Sequence, residues 1–396
     1  MRIETITLKN FKSFRNATMQ SIPHFCVLVG ANGTGKTTLF DAFGFLKDCL
    51  TYNVKQALQK RGGYQEVISR GCQTNEDIEF IIQFRMLIAN VERLVTYIVQ
   101  IGLDNNSPVV KREILRYKRG AYGSPYHFLD FSLGTGYAIT NEEDFDKPNA
   151  TLQREQQTIE TQVLAIKGLG QFKRFKAANA FRQLIENWHV SDFHINAARG
   201  SKDSIGDYEH LSATGDNLQR VAYHIYENDR ALFDKIVRLI QKRVPGIQTV
   251  QPIPTEDGRL IIQFQDNAFQ KPFIDRYVSD GTLKLFAYLI LLYDPKPHPL
   301  LCVEEPENQL YLELLWELAE EFRAYAEQDG QVFVSSHSPD FLNAVQPEEV
   351  YWLIKQQGYT TIQRAQDDPQ IVALIQAGEQ MGYLWKSGLF QGVGLK

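Results

Sequence analysis

Polar and apolar side chains alternate along Arg2–Lys9 (RIETITLK) with the period of a half-buried strand. Phe25–Val29 is a short apolar run that meets Gly30 and a glycine-rich turn, and beyond it Leu39, Phe40, Phe43 and Leu46 recur at helical spacing. Between Ile78 and Tyr117 three runs, IEFIIQF, LVTYIVQI and KREILRY, are separated by charged or Asn-rich turns, the pattern of an antiparallel sheet. Residues 151–188 contain few glycines or prolines and predict helix broken at Gly168 and Gly170; Asn217–Ile240 predicts a further amphipathic helix. After Pro299 the order is strand LLCVEE, helix Leu310–Ala326, strand VFVSS, a helix from Asp340 and strand VYWLI, which predicts parallel strands joined by crossover helices. No heptad repeat is sustained, so a long coiled coil is not expected. The expected fold is α/β.

Composition narrows the setting. The 396 residues carry a net charge of −5, which argues against a global basic field for nucleic acid while leaving room for local patches such as Lys111–Arg119 and Lys173–Lys176. Runs of this kind are more often solvated faces. Cys26, Cys49, Cys72 and Cys302 form no CxxC pair, which fits a reducing compartment. The N-terminus does not read as a signal peptide, and the strongest apolar run, Phe286–Tyr293, is too short to span a bilayer. A cytoplasmic protein without a membrane partner is expected.

Four segments carry candidate chemistry. Gly30-Ala31-Asn32-Gly33-Thr34-Gly35-Lys36-Thr37 fits GxxxxGK[ST] and continues into Thr38. Its glycines let backbone N–H groups turn inward around phosphate oxygens; Lys36 reaches the β and γ phosphates of ATP, and the Thr37 hydroxyl meets Mg²⁺. In Leu300–Asn308 (LLCVEEPEN), Glu304 and Glu305 end a buried strand, where Glu304 can hold hydrated metal and Glu305 can orient or deprotonate the attacking water. His337 ends the strand VFVSS and can donate to the γ-phosphate. Ser279 and Gly281 lie in a small polar turn before the run LKLFAYLILL, which is an anion site or simply an N-cap. The other seven histidines, His189 and His194 among them, have no metal-ligand spacing and read as structural.

Together these segments resemble the ABC-type ATPases of the SMC, RecF and OLD group. Leu8–Phe14 (LKNFKSF) resembles that group's first strand, and Ser279–Thr282 its signature loop. The stretches SDGTLKLFAYLILLYDPKPHPLLCVEEPENQL, VFVSSHSPDFLNAV and GYLWKSGLFQGVG are similar to stand-alone predicted ATPases of bacterial restriction and anti-phage modules. The resemblance implies a P-loop NTPase with an ABC-ATPase-like head: a parallel or mixed core sheet with crossover helices, an antiparallel β accessory lobe and a helical insertion. Residues 1–396 would form one head, with an N-terminal lobe (1–120), a helical insertion (121–200) and a C-terminal lobe (201–396).

The resemblance further implies that two subunits sandwich two ATP molecules. Gly30–Thr38 would bind phosphate and Mg²⁺; Glu304 would be the Walker B acid, Glu305 the catalytic glutamate and His337 the switch histidine. Ser279 and Gly281 would contact the γ-phosphate across the dimer, and Asn308–Tyr311 would form the D-loop. Glu304 stands where aspartate is usual, and Tyr311 and Leu312 where histidine and proline often follow. Gln65 is a candidate Q-loop residue that reads more readily as a surface residue. OLD nucleases carry a following TOPRIM domain, whereas here residues 338–396 offer no adequate acidic cluster, so no intrinsic nuclease is expected. The expected function is an ATP-dependent homodimerisation switch acting on DNA or on an effector protein encoded nearby, with anti-phage defence as its setting. The alternative is a RecF-like DNA-repair clamp.

Overall fold

The computed structural model describes residues 2–73, 75–88, 91–118, 124–145, 147, 151–200, 202–203, 209–269, 271–328 and 330–390. Its central layer is a six-stranded sheet in the order β10 (His189–Ser191), β15 (Leu301–Glu304), β16 (Val332–Ser336), β3 (Phe25–Val29), β17 (Val350–Gln356) and β18 (Tyr359–Arg364). The first five strands are parallel, and β18 is an antiparallel edge. Every residue of β3 and of β16 is buried, as expected for parallel strands covered on both faces.

Side-chain alternation along these strands supplies two separate cores. Cys26, Leu28, Cys302, Phe333, Tyr351 and Leu353 face one, packed with helix Lys36–Thr51 and the antiparallel lobe. Val27, Val29, Leu301, Val303, Val334 and Trp352 face the other, against helices Asp280–Leu292 and Glu313–Glu327.

The antiparallel lobe is an eight-stranded sheet, β2 (Phe14–Gln20), β1 (Arg2–Phe11), β4 (Ile78–Ile88), β5 (Val91–Asp104), β6 (Ser107–Tyr117), β7 (Tyr126–Ser132), β8 (Thr135–Ile139) and β9 (Arg154–Thr158). A third, smaller sheet places β12 (Ile247–Pro254) along one edge of β13 (Arg259–Asp266), with the short β11 (Lys202–Asp203) and β14 (Phe273–Ile274) on its other edge.

Residues 121–200 differ from the helical insertion expected of them. Their first part continues the antiparallel sheet as β7, β8 and β9, and among the described residues α-helix appears at Ala165–Leu169, Lys176–Glu186 and the single turn Ile195–Ala198. Two features hid the strands. The β7–β8 turn is Leu133-Gly134, both with positive φ, so a leucine occupies a position where Asn or Asp would have signalled a hairpin. The edge strand β9, Arg-Glu-Gln-Gln-Thr, pairs only with β8, buries neither face fully and therefore shows no apolar alternation. Asn217–Ile240 is likewise two helices, Leu218–Asn228 and Arg230–Arg243, because the Asp229 side chain caps the second by accepting from Leu232 N–H. The helix expected from Asp340 is a single turn, Pro339–Leu342.

Candidate functional site

The site forms where β15, β16 and β3, three adjacent strands, end together. Such carboxyl edges are where open α/β sheets place ligands. After Val29 the chain enters the Gly30–Gly35 loop, with φ of 78° at Gly33 and 107° at Gly35, conformations that favour glycine. Gly35 has a second constraint: a Cβ there would sit 2.8 Å from Thr360 Oγ1 and 2.9 Å from Ser13 Oγ. Thr360 also donates to Thr34 carbonyl oxygen at 2.7 Å, so β18 and the β1–β2 turn brace the loop from behind. Ala31 is half-buried and Asn32 exposed at the rim of the loop, and Thr34 closes it by donating to Ala31 O at 2.9 Å.

Helix Lys36–Thr51 starts directly from the loop. Lys36 is buried, and its ammonium donates to Gly30 O at 2.7 Å. Burial lowers its pKa, and the charges of Glu305, Glu307 and Glu304 oppose that shift. The next residue reaches across the sheet: Thr37 Oγ1 donates to Glu304 Oε2 at 2.9 Å, while Thr38 is half-buried on the same first turn. Burial raises the Glu304 pKa, and the Thr37 bond partly offsets this by favouring the carboxylate.

Glu305 follows with φ of 40°, a strained value for a residue with a Cβ. Its N–H is anchored to Ser335 O at 3.0 Å on β16, and its carboxylate accepts from Asn308 Nδ2 at 2.9 Å. His337 Nδ1 lies 3.3 Å from the other carboxylate oxygen. The structure therefore brings Lys36, Thr37, Glu304, Glu305 and His337 to one place. An open cleft of about 520 Å³ adjoins Glu304 and Glu305, with Asp192, His194, Lys284 and Asn308 also on its wall.

Ser279 and Gly281 stand on another element. Ser279 is exposed and caps helix Asp280–Leu292 by accepting from Thr282 N–H at 3.2 Å, so within one subunit its bonding is that of an N-cap. Gly281 packs against the Asn308–Tyr311 segment: a Cβ there would approach Gln309 O at 2.6 Å. Arg199 secures the approach to this turn by donating to the carbonyls of Asp275, Arg276 and Val278 and pairing with Asp280. Gln65 is exposed on the short helix Tyr64–Val67.

Two buried residues complete the site and were not singled out from the sequence. Glu307 accepts from Ser336 Oγ at 2.7 Å and from His337 N–H at 3.0 Å, and so fixes the backbone that carries the histidine. Lys284 donates to Asn308 O at 2.8 Å and Glu305 O at 3.3 Å; burial lowers its pKa to about 8 against the nearby glutamates. A lone lysine inside the run LKLFAYLILL was the available signal for the second.

The basic runs are largely committed to ion pairs. Lys111 pairs with Asp77, Arg112 with Asp130, Arg174 with Glu155 and Lys176 with Glu143. Arg119 lies outside the described residues, as do the last residues of the stretch GYLWKSGLFQGVG. Among the described residues no helix is long and apolar enough to cross a membrane.

Comparison with known proteins agrees with this geometry. Residues 5–242 match the family described as "AAA domain", and residues 154–343 match "AAA domain, putative AbiEii toxin, Type IV TA system". The DNA replication and repair protein RecF of Porphyromonas gingivalis is 35% identical over 89 residues, 22% of this chain and 24% of that protein. RecF of Clavibacter michiganensis is 28% identical over 120 residues, 30% of this chain and 27% of that protein. The match thus spans about a quarter of the length of these curated relatives. Among solved structures, the SMC head bound to the C-winged helix domain of ScpA superposes with a TM-score of 0.53 at 15% identity, over 92% of this chain and 97% of that one. A glycine-rich loop opposed by paired acids on a neighbouring strand accompanies the match over more than half of the chain, and within an SMC-head-like α/β fold the chain belongs to the AAA-domain family.

Proposed function

We propose that the protein binds and hydrolyses ATP with Mg²⁺ and works as a nucleotide-dependent dimerisation switch. The observation that carries this reading is the Thr37–Glu304 hydrogen bond, which joins the first turn after the P-loop to the acidic strand end across 267 residues of sequence. A hydroxyl and a carboxylate so placed are the donor set a hydrated Mg²⁺ requires, and the Gly30–Gly35 cradle with its inturned Lys36 suits a polyphosphate.

When bound, ATP supplies the scissile γ-phosphoryl bond and Mg²⁺ spreads its charge. Lys36 exchanges its bond to Gly30 O for phosphate oxygen. Thr37 and Glu304 hold the hydrated ion. Glu305, fixed by Ser335 and Asn308, orients a water and takes its proton on a carboxylate oxygen. His337, held by Glu307, donates toward the phosphate.

Ser279 and Gly281 are the half of the site offered to a second copy. Tyr277, Tyr311, Leu312 and Trp316, which flank the signature and D-loop segments in sequence, are each more than half exposed, an apolar group suited to burial against another subunit. The family description "putative AbiEii toxin, Type IV TA system" supports a switch that controls a partner effector, with defence as the setting. The named RecF relatives favour a second reading, a DNA clamp.

ATP turnover and light scattering test the proposal together. Lys36→Ala should abolish ATP binding, and Glu305→Gln should retain binding while slowing turnover by about 10²–10⁴-fold. Glu305→Gln protein with ATP should dimerise, and Ser279→Arg should block that closure. Wild-type turnover by Glu305→Gln, or a monomer in saturating ATP, would overturn the scheme. Salt-dependent DNA binding by the purified protein would favour the clamp.

A further inference from the structure

The opposite end of the central sheet holds a group of side chains that the nucleotide chemistry does not use. His189 opens β10, His298 lies three residues before β15, Asp294 follows helix Asp280–Leu292, and His210 comes from the loop that precedes helix Leu218–Asn228. The His189 and His298 rings stack with centroids 4.6 Å apart, and His210 lies against the same His298 ring at 4.7 Å. His210 Nδ1 is 2.7 Å from Asp294 Oδ2. One ligand atom each from His210, Asp294 and His298 lies within 4.8 Å of the other two.

The protonation pattern follows from the partners. His298 Nδ1 lies 3.1 Å from Asn187 O, and a carbonyl oxygen only accepts, so the proton is on Nδ1 and Nε2 presents a lone pair. That Nε2 is buried and has no hydrogen-bond partner; the same is true of His189 Nε2. The two residues are only 6% and 7% exposed, so these orphaned nitrogens are not hydrated at the surface. A buried polar atom without a partner is costly, and two in one stack call for an explanation.

We propose that His210, His298 and Asp294 bind a divalent transition-metal ion of the zinc class, with His189 packed as the supporting ring. Two imidazoles and a carboxylate are a borderline nitrogen and oxygen donor set that suits Zn²⁺ and Co²⁺ better than Mg²⁺ or Ca²⁺. The Asn187 carbonyl bond to His298 is the outer contact that orients a ligating imidazole. His210, His298 and His189 also line an open cleft of about 650 Å³, which leaves room for water or an exogenous ligand at a fourth position. Ligation would tie the strand end at His298 to the loop at His210 and to Asp294, two residues beyond the helix that starts after Ser279.

Metal titration of the full-length chain tests this without reference to turnover. The protein is stripped with a chelator, held in excess Mg²⁺ so that the Glu304 end is saturated, and titrated with Co²⁺ while its visible d–d absorption is followed. One equivalent should bind with an absorption that Zn²⁺ abolishes, and Zn²⁺ should raise the melting temperature. His210→Asn and Asp294→Asn should each weaken Co²⁺ binding by about tenfold or more. His210 is half-exposed, so its variant tests ligation without emptying a core position; matched circular dichroism of the metal-free proteins checks the fold. No absorption from wild type, or variants that titrate like wild type, would overturn the site.

Discussion

The two ends of the central sheet differ in how far their buried polar groups are answered. At the carboxyl end Thr37 answers Glu304, Asn308 and His337 answer Glu305, and Ser336 with the His337 N–H answers one oxygen of Glu307, whose other oxygen alone is left without a partner. At the amino end neutral rings stack on one another, and His189 and His298 each keep a nitrogen without a partner. A satisfied network loses stability when one member is removed, because the others stay buried and unpaired; an orphaned group has no such dependants. The difference separates residues whose bonds hold the apo fold from residues whose bonding capacity is held in reserve.

Substitution at the two ends should therefore have unequal effects. Glu307→Leu leaves Ser336 Oγ and the His337 N–H without their acceptor, and should cost about 1–3 kcal/mol for each orphaned donor, read as a lower denaturation midpoint. It should also slow ATP turnover by releasing His337. A midpoint equal to wild type would erase the contrast between the two ends.

A fully bonded carboxylate in the antiparallel lobe sharpens the comparison through pH. Glu113 accepts from Ile166 N–H at 3.0 Å, from Ala165 N–H and from Tyr97 OH at 3.1 Å, yet burial pushes its pKa up to about 7. A raised folded-state pKa gives stability that is complete below the ordinary value of 4.5 and is lost as pH rises through about 7. Wild type should lose up to about 3 kcal/mol over that interval relative to Glu113→Gln, measured as the difference between their denaturation midpoints at each pH. Parallel pH profiles for the two proteins would show that the carboxyl keeps its ordinary pKa.

Smaller changes probe the borders of each end. Gly281→Ala drives a Cβ to 2.6 Å from Gln309 O and should cost about 1–3 kcal/mol while weakening ATP-dependent dimerisation, as light scattering would record. In metal-free protein His189→Phe removes an unpartnered nitrogen while keeping the stacked ring, so the midpoint should change by less than about 1 kcal/mol or rise. A large loss there would mean that the His189 ring has a bonding role in the apo fold.

What could be read from sequence follows the same division. Gly30–Thr38, Glu304–Glu305 and His337 were legible because each group is contiguous and ends a short apolar strand, so spacing alone carries the chemistry. Glu307 and Lys284 were not, since their importance lies in which carbonyls and hydroxyls fold onto them. His189, His210, Asp294 and His298 come from separate elements that meet only when β10 pairs with β15 and helix Asp280–Leu292 packs beneath. The parallel core after Pro299 was visible in its alternation of strand and helix, whereas β7–β9 were obscured by a leucine in the turn and by an edge strand without an apolar face.

The position of β3 has a consequence for the protein while it is being made. The strand that carries the phosphate loop emerges among the first thirty residues, but its two neighbours, β16 and β17, begin at Val332 and Val350, and the brace behind Gly35 is Thr360. Until β16 and β17 have left the ribosome Phe25–Val29 lacks both of its neighbours, and until Thr360 follows Gly35 has no wall behind it. Nascent chains should therefore gain nucleotide affinity late and in one step, as long-range pairing of this kind requires. In a cell, an early stop codon or a nick in β16 would leave a loop with the right residues and no means of closing them around a phosphate.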